Sequence, residues 1–373
     1  MPSTPPSTIE EIKATSQINP EFAQAWDDLP LPPGKDYTIE ALKASSRATL
    51  PSLRKRLAAS QTPELIEKIH RIPLRDGVQL RVIVLYRSQD ASHVTPPRPL
   101  IVIFHGGGHT VGSPEAMVPL ARDVLKTLPA VIVLASYRLA PEFPFPFSLL
   151  DSWETLEWAA AESRKFKSTV LPICTDPRVG FLIGGESAGA NLAAALTHIA
   201  RDQALSPPLT GQFLCCGTFI SPERVPPKYQ DRYLSWTQNE DAPVIDKDLY
   251  AIFRDAFKPD HDSRLWASFD QHHPADHGTG GVKNGHLIIP PTYFQVCGLD
   301  MARDDGLIYE RVLREECQVP TRLDLYSGFP HCWWSIYPHL EMTKQRTKDS
   351  IDGIAWLLEV GLKTRTSPNG TRQ

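Results

Sequence analysis

The chain predicts an α/β fold, a mostly parallel central sheet flanked by helices. Three observations lead there. Strand-like runs of about the right length recur at residues 99–104, 179–184, 291–298 and 321–326. An Ala- and Leu-rich stretch of helical character, residues 190–196, follows one of them closely. Chemically reactive side chains stand just past the ends of these runs, which is where parallel α/β sheets carry their functional groups.

In chain order, residues 1–72 mix helical segments with proline breaks. Residues 9–15, 20–26 and 39–57 read as helices, and Leu29-Pro30-Leu31-Pro32-Pro33-Gly34 as a turn-rich connector. Ile72-Pro73-Leu74-Arg75-Asp76-Gly77 signals a hairpin between two alternating strands and opens the main body, residues 73–222 and 290–365. The run at 99–104 ends in His105-Gly106-Gly107-Gly108. Three successive glycines leave backbone N–H groups uncovered and reach positive φ, as a loop aiming amides at an oxyanion requires.

Next comes Gly185-Glu186-Ser187-Ala188-Gly189, between a predicted strand and a predicted helix. A serine on so sharp a turn is lifted out of the sheet with its hydroxyl exposed, and side chains in place of the flanking glycines would clash. Residues 211–221 read as a further strand. Residues 223–289 then show little strand pattern and many aromatics, including Tyr229, Tyr233, Trp236, Tyr250, Phe253, Phe257 and Trp266. The run at 291–298 leads to Asp300, and the run at 321–326 leads through Ser327-Gly328-Phe329-Pro330 to His331. Ser187, Asp300 and His331 thus follow the chain order of a serine nucleophile, an orienting acid and a base. Asp304 and Asp305 are rival acids, but they precede a helical pattern at 306–313, where first-turn dipole stabilisation explains them better.

These segments together resemble the hormone-sensitive-lipase-like branch of the α/β-hydrolase superfamily, a group of serine carboxylesterases and lipases. The matching residues are His105 to Gly108 with Gly112-Ser113, Tyr137-Arg138-Leu139-Ala140-Pro141-Glu142, the turn from Gly185 to Gly189, Gly298-Leu299-Asp300 with Arg303-Asp304-Asp305-Gly306, and Gly328 to His331. The resemblance implies an α/β-hydrolase fold with Ser187 as nucleophile, His331 as base and Asp300 as orienting acid. Gly107, Gly108 and Ala188 would supply the oxyanion-hole N–H groups, and His105 would hold the glycine loop in shape. Arg138 and Glu142 would brace the loops around that hole. Residues 1–72 and the insertion 223–289 would together form a helical cap, its aromatics giving an apolar pocket. Two departures bear on specificity. His109 stands where relatives usually carry Phe or Trp, which puts a polar, titratable group near the oxyanion site. Trp333 and Trp334 follow the base, where they would narrow the pocket and favour aromatic or polyketide-like acyl groups. On that reading Trp333→Ala broadens the range of esters accepted.

The implied activity is hydrolysis of small or medium esters through an acyl-enzyme, as in a tailoring esterase of secondary metabolism, without cofactor or metal. The alternatives on this scaffold are an acyltransferase, lactonase or cyclase, and a small-molecule receptor without turnover. The 373 residues include 41% hydrophobic and 22% charged, enough for one large core and an appendage. A net charge of −4 gives no reason to expect nucleic acid or an anionic membrane as partner. No apolar run approaches the roughly 20 residues of a membrane span. The start Met1-Pro2-Ser3-Thr4-Pro5-Pro6 lacks the basic and apolar regions of a secretory leader, so a cytoplasmic enzyme, monomer or homodimer, is expected and Asn369-Gly370-Thr371 would go unglycosylated. Residues 366–373 read as a disordered tail. His261, His272, His273, His277 and His286, with Asp270 and Asp276, invite a metal reading. Pro274 and the glycines 278–281 argue against a ligand-presenting helix and for a solvated loop. The six cysteines form no C-x-x-C pair and read as reduced, mostly buried side chains, with Cys332 beside His331 the one expected to react with thiol reagents.

Overall fold

The structure, a computed structural model, describes residues 3–91, 96–165, 168–261, 263, 265–266 and 289–366. They form an eight-stranded sheet in the order β1-β2-β4-β3-β5-β6-β7-β8. Its strands are β1 (Leu65–Pro73), β2 (Gln79–Arg87), β3 (Leu100–Phe104), β4 (Val131–Ala135), β5 (Phe181–Glu186), β6 (Gly211–Cys215), β7 (Thr292–Leu299) and β8 (Thr321–Pro330). β1 and β2 are the predicted hairpin, and β2 pairs antiparallel with β4 as well; every later pairing is parallel. The sheet therefore begins at Leu65, so residues 65–72 belong to it rather than to the helical N-terminal segment. β6 stops at Cys215, short of the expected 221, because Cys216 turns to φ 51° and leaves the extended region.

Strand periodicity builds the core on both faces. Along β3, Leu100, Val102 and Phe104 enter one apolar cluster while Ile101 and Ile103 enter another; β4 divides Val131, Val133 and Ala135 from Ile132 and Leu134 in the same way. Strands buried on both faces read as unbroken apolar runs, as β3 does in the sequence. The helices that cover the sheet are α4 (Val118–Thr127), α5 (Phe147–Glu162), α6 (Ala188–Asp202), α9 (Arg303–Arg311) and α10 (Glu341–Thr366). α10 runs through Thr366, and residues 367–373 of the expected tail lie outside the described residues.

The N-terminal segment folds as α1 (Ile9–Ala14), α2 (Pro20–Asp28) and α3 (Ile39–Ala59). Their starts follow local chemistry: a capping box of Thr8 and Glu11 for α1, Asn19 with Pro20 for α2, and Thr38 for α3. α3 buries none of its residues and is tied down by polar contacts instead: Lys43 to the Ala140 carbonyl and Glu142, and Arg54 to Glu115. Within the insertion lie α7 (Ser235–Gln238) and α8 (Lys247–Phe257). One carboxylate joins the two segments. Asp246 caps α8 by accepting from the Leu249 N–H at 2.9 Å and accepts the Gly34 N–H at 2.7 Å. Gly34 leaves no room for a Cβ there, since one would overlap the Asp246 carboxylate.

Candidate active site

The site is assembled at the carboxyl ends of β3, β5, β7 and β8. Ser187 occupies the turn between β5 and α6 at φ 54°, ψ −121°, a conformation costly for a residue with a side chain. The Ser187 N–H donates to the Cys215 carbonyl at 2.8 Å and holds the turn to β6. A Cβ at Gly185 would overlap the backbone of Gly189, and one at Gly189 would overlap the Phe104 carbonyl. Both glycines are therefore dictated by contact.

His331 directly follows β8, and its Nε2 lies 2.8 Å from Ser187 Oγ. Its Nδ1 lies 2.7 Å from Asp300 Oδ2, while Asp300 Oδ1 accepts the Ala302 N–H at 3.0 Å. His331 and Asp300 are both buried. Burial alone would lower the His331 pKa; the Asp300 charge and hydrogen bond outweigh it and push the imidazole up to about 9. Asp304 and Asp305 are not part of this relay. Asp304 pairs with Arg303 and accepts the N–H groups of Leu234 and Ser235. Asp305 accepts from Phe219, Ile220, Tyr233 and Trp236, and burial pushes its carboxyl up to about 7 despite those bonds. Both sit in the first turn of α9 as expected, but their work is to fasten the insertion to it.

The glycine loop passes directly over the serine: a Cβ at Gly106 would lie 3.1 Å from that of Ser187. Gly107 and Gly108 take φ of 115° and 57°. The loop folds back on itself, with the Gly107 carbonyl accepting the N–H groups of Thr110 and Val111, each at 3.0 Å. Among the described residues no carbonyl takes the N–H groups of Gly107, Gly108 or Ala188. His105 stands behind the loop, stacked on Tyr137 at 4.4 Å, its Nδ1 2.7 Å from the Gly106 carbonyl; burial lowers its pKa to about 4.

A cavity of about 600 Å³ opens above Ser187. Leu31, Tyr37, Leu42 and Ser45 line it from the N-terminal segment, and Trp236, Leu249, Tyr250, Phe253, Phe257 and Trp266 from the insertion. The Phe253 ring occupies the space a Cβ at Gly108 would need. His109 lines the cavity too, but its character differs from the expectation. Stacked on Phe257 at 4.0 Å, with Nδ1 3.0 Å from Ser148 Oγ, it is buried and its pKa falls to about 3, so it is a neutral ring that does not titrate in the working range.

Trp333 and Trp334 correct the sequence reading. Neither lines the cavity. Cys332 turns to φ 47°, and the short 3₁₀ turn that follows directs both indoles into the core behind the sheet. Trp333 is fully buried against Phe329, with Nε1 donating to Thr343, and Trp334 lies under the Arg346 guanidinium at 3.9 Å. Arg138 and Glu142 also act elsewhere than expected: Arg138 binds Asp151 and Asp76, and Glu142 binds Lys43 of α3. His261 bonds Ser221 at 2.6 Å; Asp270, His272, His273, Asp276, His277 and His286 lie outside the described residues. The Cys332 thiol does line the cavity; its hydrogen bond with Cys216 favours the thiolate, but burial and the neighbouring Glu186 charge, with the nearby thiols, together outweigh it and hold the pKa up at about 12.

Two contributors escaped sequence reasoning. Asn239 donates to the carbonyls of Asp300 and Gly298 at 2.8 and 3.3 Å, fixing the loop that carries the acid. Arg346 of α10 reaches Glu186, the residue before the serine, and Gln295. Asn239 follows the end of α7 and Arg346 lies in α10; each is a single polar residue with no local motif to mark it.

A serine, histidine and aspartate in hydrogen-bonded series, beside uncommitted N–H groups on an α/β scaffold, define the class of serine hydrolases. A family model for the alpha/beta hydrolase fold matches residues 101–335, and the chain belongs to that family. It is 33% identical over 287 residues to an AB hydrolase superfamily protein of Schizosaccharomyces pombe, covering 77% of this chain and 78% of the relative. It is 31% identical over 284 residues to the versiconal hemiacetal acetate esterase of Dothistroma septosporum, covering 76% and 79%. Among solved structures, vibralactone cyclase superposes with a TM-score of 0.81 at 28% identity, covering 97% of this chain and 99% of that one.

Proposed function

We propose that this chain hydrolyses carboxylic esters of small to medium size through an acyl-enzyme on Ser187. The observation that carries the reading is the unbroken series Ser187–His331–Asp300 on the floor of an apolar cavity. Ser187 Oγ attacks the ester carbonyl as His331 Nε2 takes its proton, and the N–H groups of Gly107, Gly108 and Ala188 receive the oxyanion. Asp300 holds the imidazole in the tautomer that leaves Nε2 free to accept and stabilises its charged form. His331 returns the proton to the departing alcohol, and water then releases the acid by the same steps in reverse.

The N-terminal segment and the insertion act in this reading as a cap whose side chains select the ester. Similarity to a versiconal hemiacetal acetate esterase supports a tailoring role in secondary metabolism. Among the described residues no helix is long and apolar enough to cross a membrane, and the enzyme is read as cytoplasmic, a monomer or homodimer. The likeness to vibralactone cyclase favours a second reading, in which a hydroxyl of the substrate itself replaces water as acceptor.

The test is hydrolysis of p-nitrophenyl esters from acetate to decanoate by wild type and Ser187→Ala. The expected result is activity that falls at least about 10³-fold in the variant. Equal activity in both would overturn the serine mechanism, and organophosphate labelling of Ser187 without hydrolysis would favour the cyclising alternative.

A further inference from the structure

Directly beneath the acid of the triad, thiols converge from three separate stretches of chain. Cys216 follows β6, Cys297 lies in β7 and Cys332 follows β8. Cys216 Sγ is 3.0 Å from Cys297 Sγ, and Cys332 contacts Cys216 as well. Asp300 completes the group: one carboxylate oxygen and the sulfurs of Cys216 and Cys297 all lie within 4.8 Å of one another. Cys216 and Cys332 both take left-handed φ, at 51° and 47°, in the backbone turns that bring their thiols to this place. The reaction described above uses none of these sulfurs.

We propose that this cluster is a binding site for a soft, thiophilic divalent cation of the zinc and cadmium type, and that its occupancy switches the esterase off. The donors suit the ion. Thiolates with one carboxylate make a zinc-group site, and Zn–S bonds of about 2.3 Å in a tetrahedron require sulfurs about 3.8 Å apart, so the closest pair opens by less than about 1 Å. The void beside Cys216, Cys297 and Asp300 is too small for a water molecule, so the ion enters dehydrated and is held by protein ligands alone. Cys332 lines the ester cavity and gives the ion its way in. Binding releases the thiol protons to solvent and draws on the carboxylate that otherwise orients His331. The loss of activity rests on the esterase reading; the binding itself does not.

The full-length reduced protein is titrated with Cd²⁺ alone, following the ultraviolet thiolate-to-cadmium charge-transfer band and ester hydrolysis in parallel. One Cd²⁺ per chain is expected, with the band growing in step with at least a tenfold loss of hydrolysis that a chelator reverses. In Cys216→Ala/Cys297→Ala the band should vanish and hydrolysis should become insensitive to Cd²⁺. No band in the wild type overturns the site, as does equal inhibition in the double variant. Should that variant fail to fold, ¹¹³Cd NMR of the wild type decides: a shift for two or three sulfur ligands supports the site, and one for oxygen and nitrogen alone overturns it. A wild type that shows the band but hydrolyses no ester leaves the site standing and sinks the esterase reading instead.

Discussion

His331 works against its own environment. In the proposed reaction Nε2 must be unprotonated to accept from Ser187, yet Asp300 at 2.7 Å from Nδ1 favours the imidazolium and sets its pKa near 9, above the ordinary histidine value. Below that pH the resting enzyme carries most of its histidine in the form that cannot act as base. The expected profile of kcat/KM against pH therefore climbs through neutrality and levels off near 9. Asp300→Asn should lower this limb toward the ordinary value while cutting kcat by about 10⁴, because the tautomer is no longer enforced. A limb near pH 6.5 in the wild type would contradict the coupling. Trp333 makes the second residue-scale case. With its ring in the core, Trp333→Ala should cost about 3–5 kcal/mol of stability, read by denaturant unfolding, and leave the acyl-length profile unchanged.

At the scale of elements, the N-terminal segment and the insertion meet at Asp246. Removing its side chain deletes the N-cap of α8, worth about 1 kcal/mol, and the bond to Gly34 in the connector between α2 and α3. Neither contact touches the reacting atoms. Asp246→Ala should raise KM for longer esters severalfold with kcat little changed, and should speed proteolytic cleavage within residues 29–38. Asp246→Asn keeps a single acceptor oxygen, which can take the Leu249 N–H or the Gly34 N–H but not both, and should restore only part of the wild-type KM, a partial rescue that a general loss of folding would not give.

Across the whole molecule, Glu115 is a buried charge that joins the N-terminal α3 to the sheet. It pairs with Arg81 of β2 and with Arg54 of α3. Burial alone would raise its pKa, but those two hydrogen bonds and the Arg81 charge bring it down to about 2. A carboxylate depressed below its ordinary value contributes stability that is fully present above about pH 4.5 and is lost as pH falls toward 2. Glu115→Ala should cost about 2 kcal/mol at pH 7, since the half-buried Arg81 loses its partner, and should flatten the acid limb of the stability curve. A variant as stable as the wild type at pH 7 would rule out this account, as would an unchanged acid limb.

Sequence alone determined the fold class, the glycine loop, the serine turn and the order of Ser187, Asp300 and His331. Each is a local signal: a strand buried on both faces reads as a largely apolar run, and a turn that brings backbones into contact admits only glycine. The helices expected from 9, 20 and 39 do start there, and the structure shows Thr8, Asn19 and Thr38 capping them. The surroundings of the site were not legible locally. Asn239, Arg346 and Glu115 meet partners far away in the chain, and no spacing rule reports such pairings. Residues 65–72 read as part of the N-terminal segment until pairing with β2 showed them to be the sheet's first strand. Trp333 and Trp334 read as pocket walls because they follow His331. Only the tertiary structure shows that the left-handed turn at Cys332 reverses the chain and sends both indoles behind the sheet. Chemistry carried by short motifs could be read along the chain, whereas the walls that choose a substrate depended on which distant surfaces pack together.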